Sequence, residues 1–102
     1  METEVRHIER IKKKLVVKVN DRKCLMEDLS KVGMRLVVPF LLKSRDINVV
    51  FQMEDELLSL DCRVCWIKKE LNIYHQPQYQ VGLYIPEPSD EYSRMVDNLM
   101  SA

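Results

Sequence analysis

Two short spacings in this chain could do chemistry. The first is Arg6-His7-Ile8-Glu9-Arg10, two arginines four apart in a segment that continues basic through Lys12, Lys13 and Lys14. The second is Asp28-Leu29-Ser30-Lys31-Val32-Gly33, which reads D-x-S-x-x-G and falls where one strand gives way to the next. Guanidinium groups are planar forks of N–H donors that match anionic oxygens. An ionised aspartate accepts from N–H donors, and a serine hydroxyl does both. Glycine permits close approach of backbone or a positive φ. Together they make a non-covalent recognition set for a small anion, with no nucleophile or proton relay among them.

The rest of the sequence narrows the alternatives. There is no glycine-rich phosphate loop, no H-E-x-x-H and no G-x-S-x-G, and the two histidines, His7 and His75, are isolated. An enzyme is therefore not expected, and no catalytic residue is assigned. His75 reads as a surface side chain in a polar loop. Cys62-Arg63-Val64-Cys65 has the C-x-x-C spacing of a zinc half-site or redox pair. On a strand, however, positions three apart face opposite sides, and no second ligand pair exists, so neither metal nor cofactor is expected. An odd count of three cysteines also argues against a disulfide framework. Sixteen basic and sixteen acidic residues cancel, and aromatics are only 7%. A neutral chain with one basic segment suits a small anionic ligand better than a nucleic acid polymer. No stretch is long and apolar enough to cross a bilayer, and the N-terminus has no apolar signal core, so a cytoplasmic protein without membrane insertion is expected.

The elements that must position these residues are mostly strands. Hydrophobic residues reach 46%, enough for a core in one domain of 102 residues. Leu15–Val19 and Cys24–Leu29 read as a hairpin across the turn Asn20 to Lys23. Met34–Val38, ended by Pro39, and Ile47–Met53 follow. Leu57–Ile67 alternates, with Leu58, Leu60, Cys62, Val64 and Trp66 on the face expected to be core. Asn72 to Gln78 reads as a loop, and Tyr79–Ile85 as the last strand, where Gly82 marks a bulge or a close contact. Then the period changes. Tyr92, Met95, Val96, Leu99 and Met100 form a helical stripe, with Ser89 as N-cap and Asp90 and Glu91 in the first turn. The expected organisation is a flexible basic arm over residues 1–14, a β-barrel over 15–88 and a C-terminal helix over 89–102.

The order R-x-x-x-R, D-x-S-x-x-G, β-rich body and terminal helix resembles the PilZ domain family, the bacterial receptors for cyclic diguanylate. The resemblance covers nearly the whole chain. Arg6 and Arg10 match the arginine pair; Asp28, Ser30 and Gly33 match the second motif; Met34-Arg35-Leu36 follows the glycine as family members commonly do. Cys62 to Trp66 and Tyr79 to Leu83 look like two of its later strands. The interval from Arg10 to Asp28 is shorter than is common, which a tight turn at Asn20 to Lys23 could absorb. The resemblance implies an all-β fold, a six-stranded antiparallel barrel with a C-terminal α-helix. It also implies cyclic diguanylate as ligand, bound by Arg6, Arg10, Asp28, Ser30 and Gly33. Such a ligand has two phosphates and two guanines. Arginine forks suit the phosphate oxygens and the O6/N7 edge of guanine, and Asp28 could accept from guanine N1 and N2. Lys12, Lys13 and Lys14 read mainly as a solvated strand edge.

On this reading the chain is a receptor or adaptor whose N-terminal arm is mobile until Arg6 and Arg10 clamp the ligand. The signal is then expected to pass to a downstream protein or through a homodimer. The alternative is a ligand-free interaction module of motility or pilus machinery. A nucleic-acid-binding barrel ranks below both, because it needs aromatics on a basic face.

Overall fold

Alternating apolar residues give six strands and the helical stripe gives one helix. The computed structural model describes residues 10–53 and 55–101. The elements are β1 (Ile11–Val19), β2 (Arg22–Ser30), β3 (Gly33–Val38), β4 (Asp46–Met53), β5 (Glu56–Leu71), β6 (Pro77–Tyr84) and α1 (Asp90–Ser101). The strands form a closed antiparallel ring in the order β1-β2-β3-β6-β5-β4. The expected barrel and terminal helix are both present. No helix among the described residues is long and apolar enough to cross a membrane.

Local chemistry explains the boundaries. β1 and β2 meet through a two-residue turn, Asn20-Asp21, in which both residues have positive φ (53° and 65°). Asn and Asp tolerate this conformation best after glycine, and two successive positive φ values suit the twist of a hairpin. β1 starts at Ile11, so Lys12, Lys13 and Lys14, expected in the arm, stand on a barrel strand and are exposed. β5 runs on to Leu71 and β6 starts at Pro77, which shortens the expected Asn72–Gln78 loop to the segment 72–76. There Asn72 organises the turn: its carbonyl oxygens accept from the backbone N–H groups of Tyr74, His75 and Gln76. His75 is exposed, at a φ of 60°. Ser89 caps α1, its Oγ accepting the Tyr92 N–H at 3.1 Å.

The interior is filled from all sides. Val17, Val19, Met26, Leu29, Met34, Leu36, Val49, Val81 and Leu83 face inward, and Tyr92, Met95 and Val96 of α1 are buried with them. The helix is amphipathic and short, so this packing supplies most of its stability. The seam between β4 and β1 is the weakest join, with only Lys18 opposite Val50 and Val19 opposite Val49. A groove of about 640 Å³ lies over it, lined largely by Val16, Val50, Leu57 and lysine stems. It contains none of the motif residues.

Trp66 corrects one expectation. Alternation in β5 holds through Val64, but the register shifts between Val64 and Trp66: Val64 faces Leu83 and Trp66 faces Gly82. The extra residue moves Trp66 from the core side to the outer face, where it is 46% exposed. Cys62 stays inside and Cys65, at the bulge, is exposed.

This packing generates three predictions. Leu36→Ala should lower unfolding free energy by about 2–5 kcal/mol in urea, whereas Leu57→Ala, on an exposed side chain, should stay within about 0.5 kcal/mol. Burial raises the Cys24 thiol to about 11 and the Cys62 thiol to about 12. Iodoacetamide near pH 8 should therefore alkylate Cys65 first and reach the other two only on unfolding. Because both folded values lie above the unfolded one, the two thiols favour folding below about pH 9. Stability should then decline as the pH rises from there through 11 to 12, read as a falling urea midpoint.

Candidate functional site

A strand bulge decides where Asp28 points. Met26 faces the core, so strict alternation would send Asp28 inward too. The register of β2 against β3 shifts between Met26 and Asp28, which makes Glu27 the extra residue. Leu29 then fills the interior, and Asp28 turns to the outer face opposite Arg35. β1 carries a matching irregularity between Lys12 and Leu15. With the bulge in β5, three register shifts flank one row of facing residues across five strands: Lys12, Asp28, Arg35, Gly82 and Trp66.

That row carries the charged centre. Arg10 donates from Nε and Nη2 to Asp28 Oδ1, at 2.9 and 2.6 Å. Arg35 approaches the other oxygen, Nη2 to Oδ2 at 3.2 Å. One carboxylate, only 7% exposed as a residue, thus holds two guanidiniums. Such pairing offsets the cost of burying the charge. Arg35 Nε lies 3.6 Å from Glu27 Oε1, too far for a hydrogen bond, and is a buried donor with no hydrogen-bond partner among the described residues. Beside the ion cluster is an open cleft of about 460 Å³, lined by Arg10, Asp28, Gly33, Arg35, Cys65, Trp66, Gly82 and neighbouring residues of β3 and β6.

The two glycines shape this cleft differently. A Cβ on Gly33 would collide with the backbone carbonyl of Leu83, so Gly33 serves the close approach of β6 to β3 rather than a positive φ. A Cβ on Gly82 would strike the Trp66 indole, including Cζ2 at 2.8 Å. The absent side chain lets the indole lie flat over β6, next to Arg35.

The expected binding residues are distributed as follows. Arg10 and Asp28 meet directly, and Gly33 lines the same cleft. Arg10, expected to be mobile with the arm, is instead seated on Asp28. The tight Asn20-Asp21 turn lets the short Arg10-to-Asp28 interval close. Ser30 is buried and lies off the cleft lining, its Oγ accepting the Val32 N–H at 3.3 Å within its own turn. Arg6 lies outside the described residues. The geometry adds Arg35 and Trp66. Alternation could not find Trp66, because it placed that residue in the core. Arg35 was visible in sequence only as a polar interruption of an apolar strand. Among the described residues no group of His, Cys, Asp and Glu is arranged to hold a metal ion.

The glycines give a test of this geometry. In Gly33→Ala the obstacle is backbone, so the variant should lose about 1–3 kcal/mol of stability. In Gly82→Ala the obstacle is a side chain that can swing away. That variant should keep its urea midpoint more nearly but shift the emission maximum of Trp66, the only tryptophan of the chain.

Chemically, the site offers guanidinium donors in excess of the central carboxylate, one of them incompletely satisfied, beside a flat indole. No curated protein matches the chain. The sequence model of the PilZ domain matches residues 3–102. With six antiparallel strands in a ring, a C-terminal helix and both motifs in order, the chain belongs to the PilZ domain family.

Proposed function

We propose that this domain is a non-enzymatic receptor for cyclic diguanylate, bound on the outer face of the barrel across β2, β3, β6 and β5. The observation that carries the reading is the Arg10–Asp28–Arg35 cluster in line with the Trp66 indole. Asp28 holds both guanidiniums at the cleft with N–H donors left over, and Glu27 stands 3.6 Å from Arg35 Nε. Phosphate oxygens or the O6/N7 edge of guanine match the forks so presented. The exposed indole suits stacking by a purine, which no core tryptophan could provide. Arg6, four residues before Arg10, supplies a further guanidinium from the arm.

Arg10 pairs with Asp28 at the cleft, and this pairing restrains its guanidinium for a ligand. The arm mechanism is accordingly narrower than a free clamp: residues ahead of Arg10 close over a ligand that first meets Arg10 and Arg35. Ser30 acts by stabilising its turn, its Oγ accepting the Val32 N–H. The closed arm and ligand together present a new surface to a downstream protein in the cytoplasm, or to a second copy of the chain.

Calorimetric titration with cyclic diguanylate tests the assignment. Wild-type protein should bind and its tryptophan emission should change on titration. A charge-assisted hydrogen bond contributes about 1.5–3 kcal/mol, so Arg6→Ala, Arg10→Ala and Asp28→Asn should each weaken binding by roughly ten- to a hundredfold. Trp66→Ala should cost about 1–3 kcal/mol of binding free energy. No heat and no fluorescence change with the wild-type chain would end the reading, as would an Arg10→Ala variant of undiminished affinity.

A further inference from the structure

The turn that carries the second motif is held from inside the barrel by the terminal helix. Tyr92 is fully buried, and its hydroxyl donates to the Ser30 carbonyl at 2.6 Å, with the Gly33 carbonyl 3.5 Å away. Ser30 and Gly33 are the facing residues at which β2 turns into β3. The two residues between them are tied as well. The Val32 carbonyl accepts the N–H of Ile85, on the segment that leads from β6 to α1, at 2.8 Å. Lys31 Nζ pairs with Asp97 Oδ1 of α1 at 2.8 Å, though at this exposure the ion pair contributes little. Every residue of the turn therefore contacts α1 or the chain entering it.

The phenol is the discriminating feature. A leucine or phenylalanine at the first position of the helical stripe would fill the core equally well. A buried hydroxyl requires a partner, and this one finds it 62 residues away in the motif turn. Burial also raises the Tyr92 pKa, which keeps the hydroxyl protonated as a donor. Ser30 has no solvent exposure, so loss of the phenol donor weakens the hold on this turn specifically.

We propose that Tyr92 is a positioning residue for ligand binding: its hydroxyl sets the stance of the Ser30–Gly33 turn at the cleft edge and thereby links occupancy of the cleft to the seating of α1. The inference builds on the reading of the cleft as the cyclic diguanylate site. Linkage makes the effect reciprocal, so a ligand that steadies the turn steadies the helix, and a loosened helix weakens the ligand.

The test compares the full chain with Tyr92→Phe, which keeps the ring and removes one donor. Val96→Ala serves as a control that destabilises α1 packing without touching the turn. Backbone hydrogen exchange is measured without ligand and then with cyclic diguanylate, alongside calorimetric affinity. In unliganded Tyr92→Phe, the amides of residues 30–33 should exchange about fivefold or more faster than in the wild type, beyond any increase common to the barrel. Affinity should fall by a similar factor, and the protection that ligand gives α1 in the wild type should be lost. Val96→Ala should raise helix exchange with a smaller effect on the turn. Unchanged turn exchange in Tyr92→Phe, or unchanged affinity together with undiminished ligand protection of α1, overturns the proposal. If the wild-type chain binds no cyclic diguanylate, the ligand assignment falls by itself. The unliganded comparison then decides the Tyr92 link: faster turn exchange upholds it and unchanged exchange refutes it.

Discussion

The Asp28 carboxylate, shared between Arg10 and Arg35, is the interaction around which the functional face is built. A nearly buried carboxylate is costly unless it is paired, and two guanidiniums compensate it from opposite sides. The same pairing solves a problem for the arginines. Left alone, long basic side chains sample many rotamers and present no fixed geometry to a ligand. Tethered to one oxygen each, they stand at the cleft with donors still available. The Arg35 Nε has no hydrogen-bond partner among the described residues.

Three strand irregularities make this arrangement attainable. In a regular barrel, residues alternate strictly between core and solvent, and a motif such as D-x-S would place Asp28 and Ser30 on one side together. The bulge in β2 lies ahead of that motif, between Met26 and Asp28: it brings Leu29 to the core position and turns Asp28 outward. The bulge in β5 does the same for Trp66, which a flat register would have buried. Bulges cost ladder hydrogen bonds and increase local twist, and here both of these bulges re-aim a side chain onto the same row. Gly82 completes the row by having no side chain to lift the indole.

Beneath this face the helix does more than close the barrel end. Tyr92 contributes its ring to the hydrophobic core and its hydroxyl to the motif turn, so the core and that turn share one residue. The buried phenolic hydroxyl has a local reason, since it donates to the Ser30 carbonyl where β2 turns into β3.

Much of this was legible in the residues alone. Alternation in Ile47–Met53 and Leu58–Val64, the turn at Asn20-Asp21 and the stripe from Tyr92 to Leu99 specified strands, hairpin and helix, because side-chain periods of 2 and 3.6 are properties of the local backbone. The motif spacings marked Arg10, Asp28 and Gly33 as one neighbourhood. What the sequence could not decide was the face that each side chain takes beyond a bulge. Bulges arise from pairing between strands distant in the chain, and a one-residue shift inverts every position after it. That is why Trp66 read as core. Ser30, chosen by spacing, bonds within its own turn, and the phenol that holds that turn comes from 62 residues along the chain, a contact between distant segments that no local period encodes.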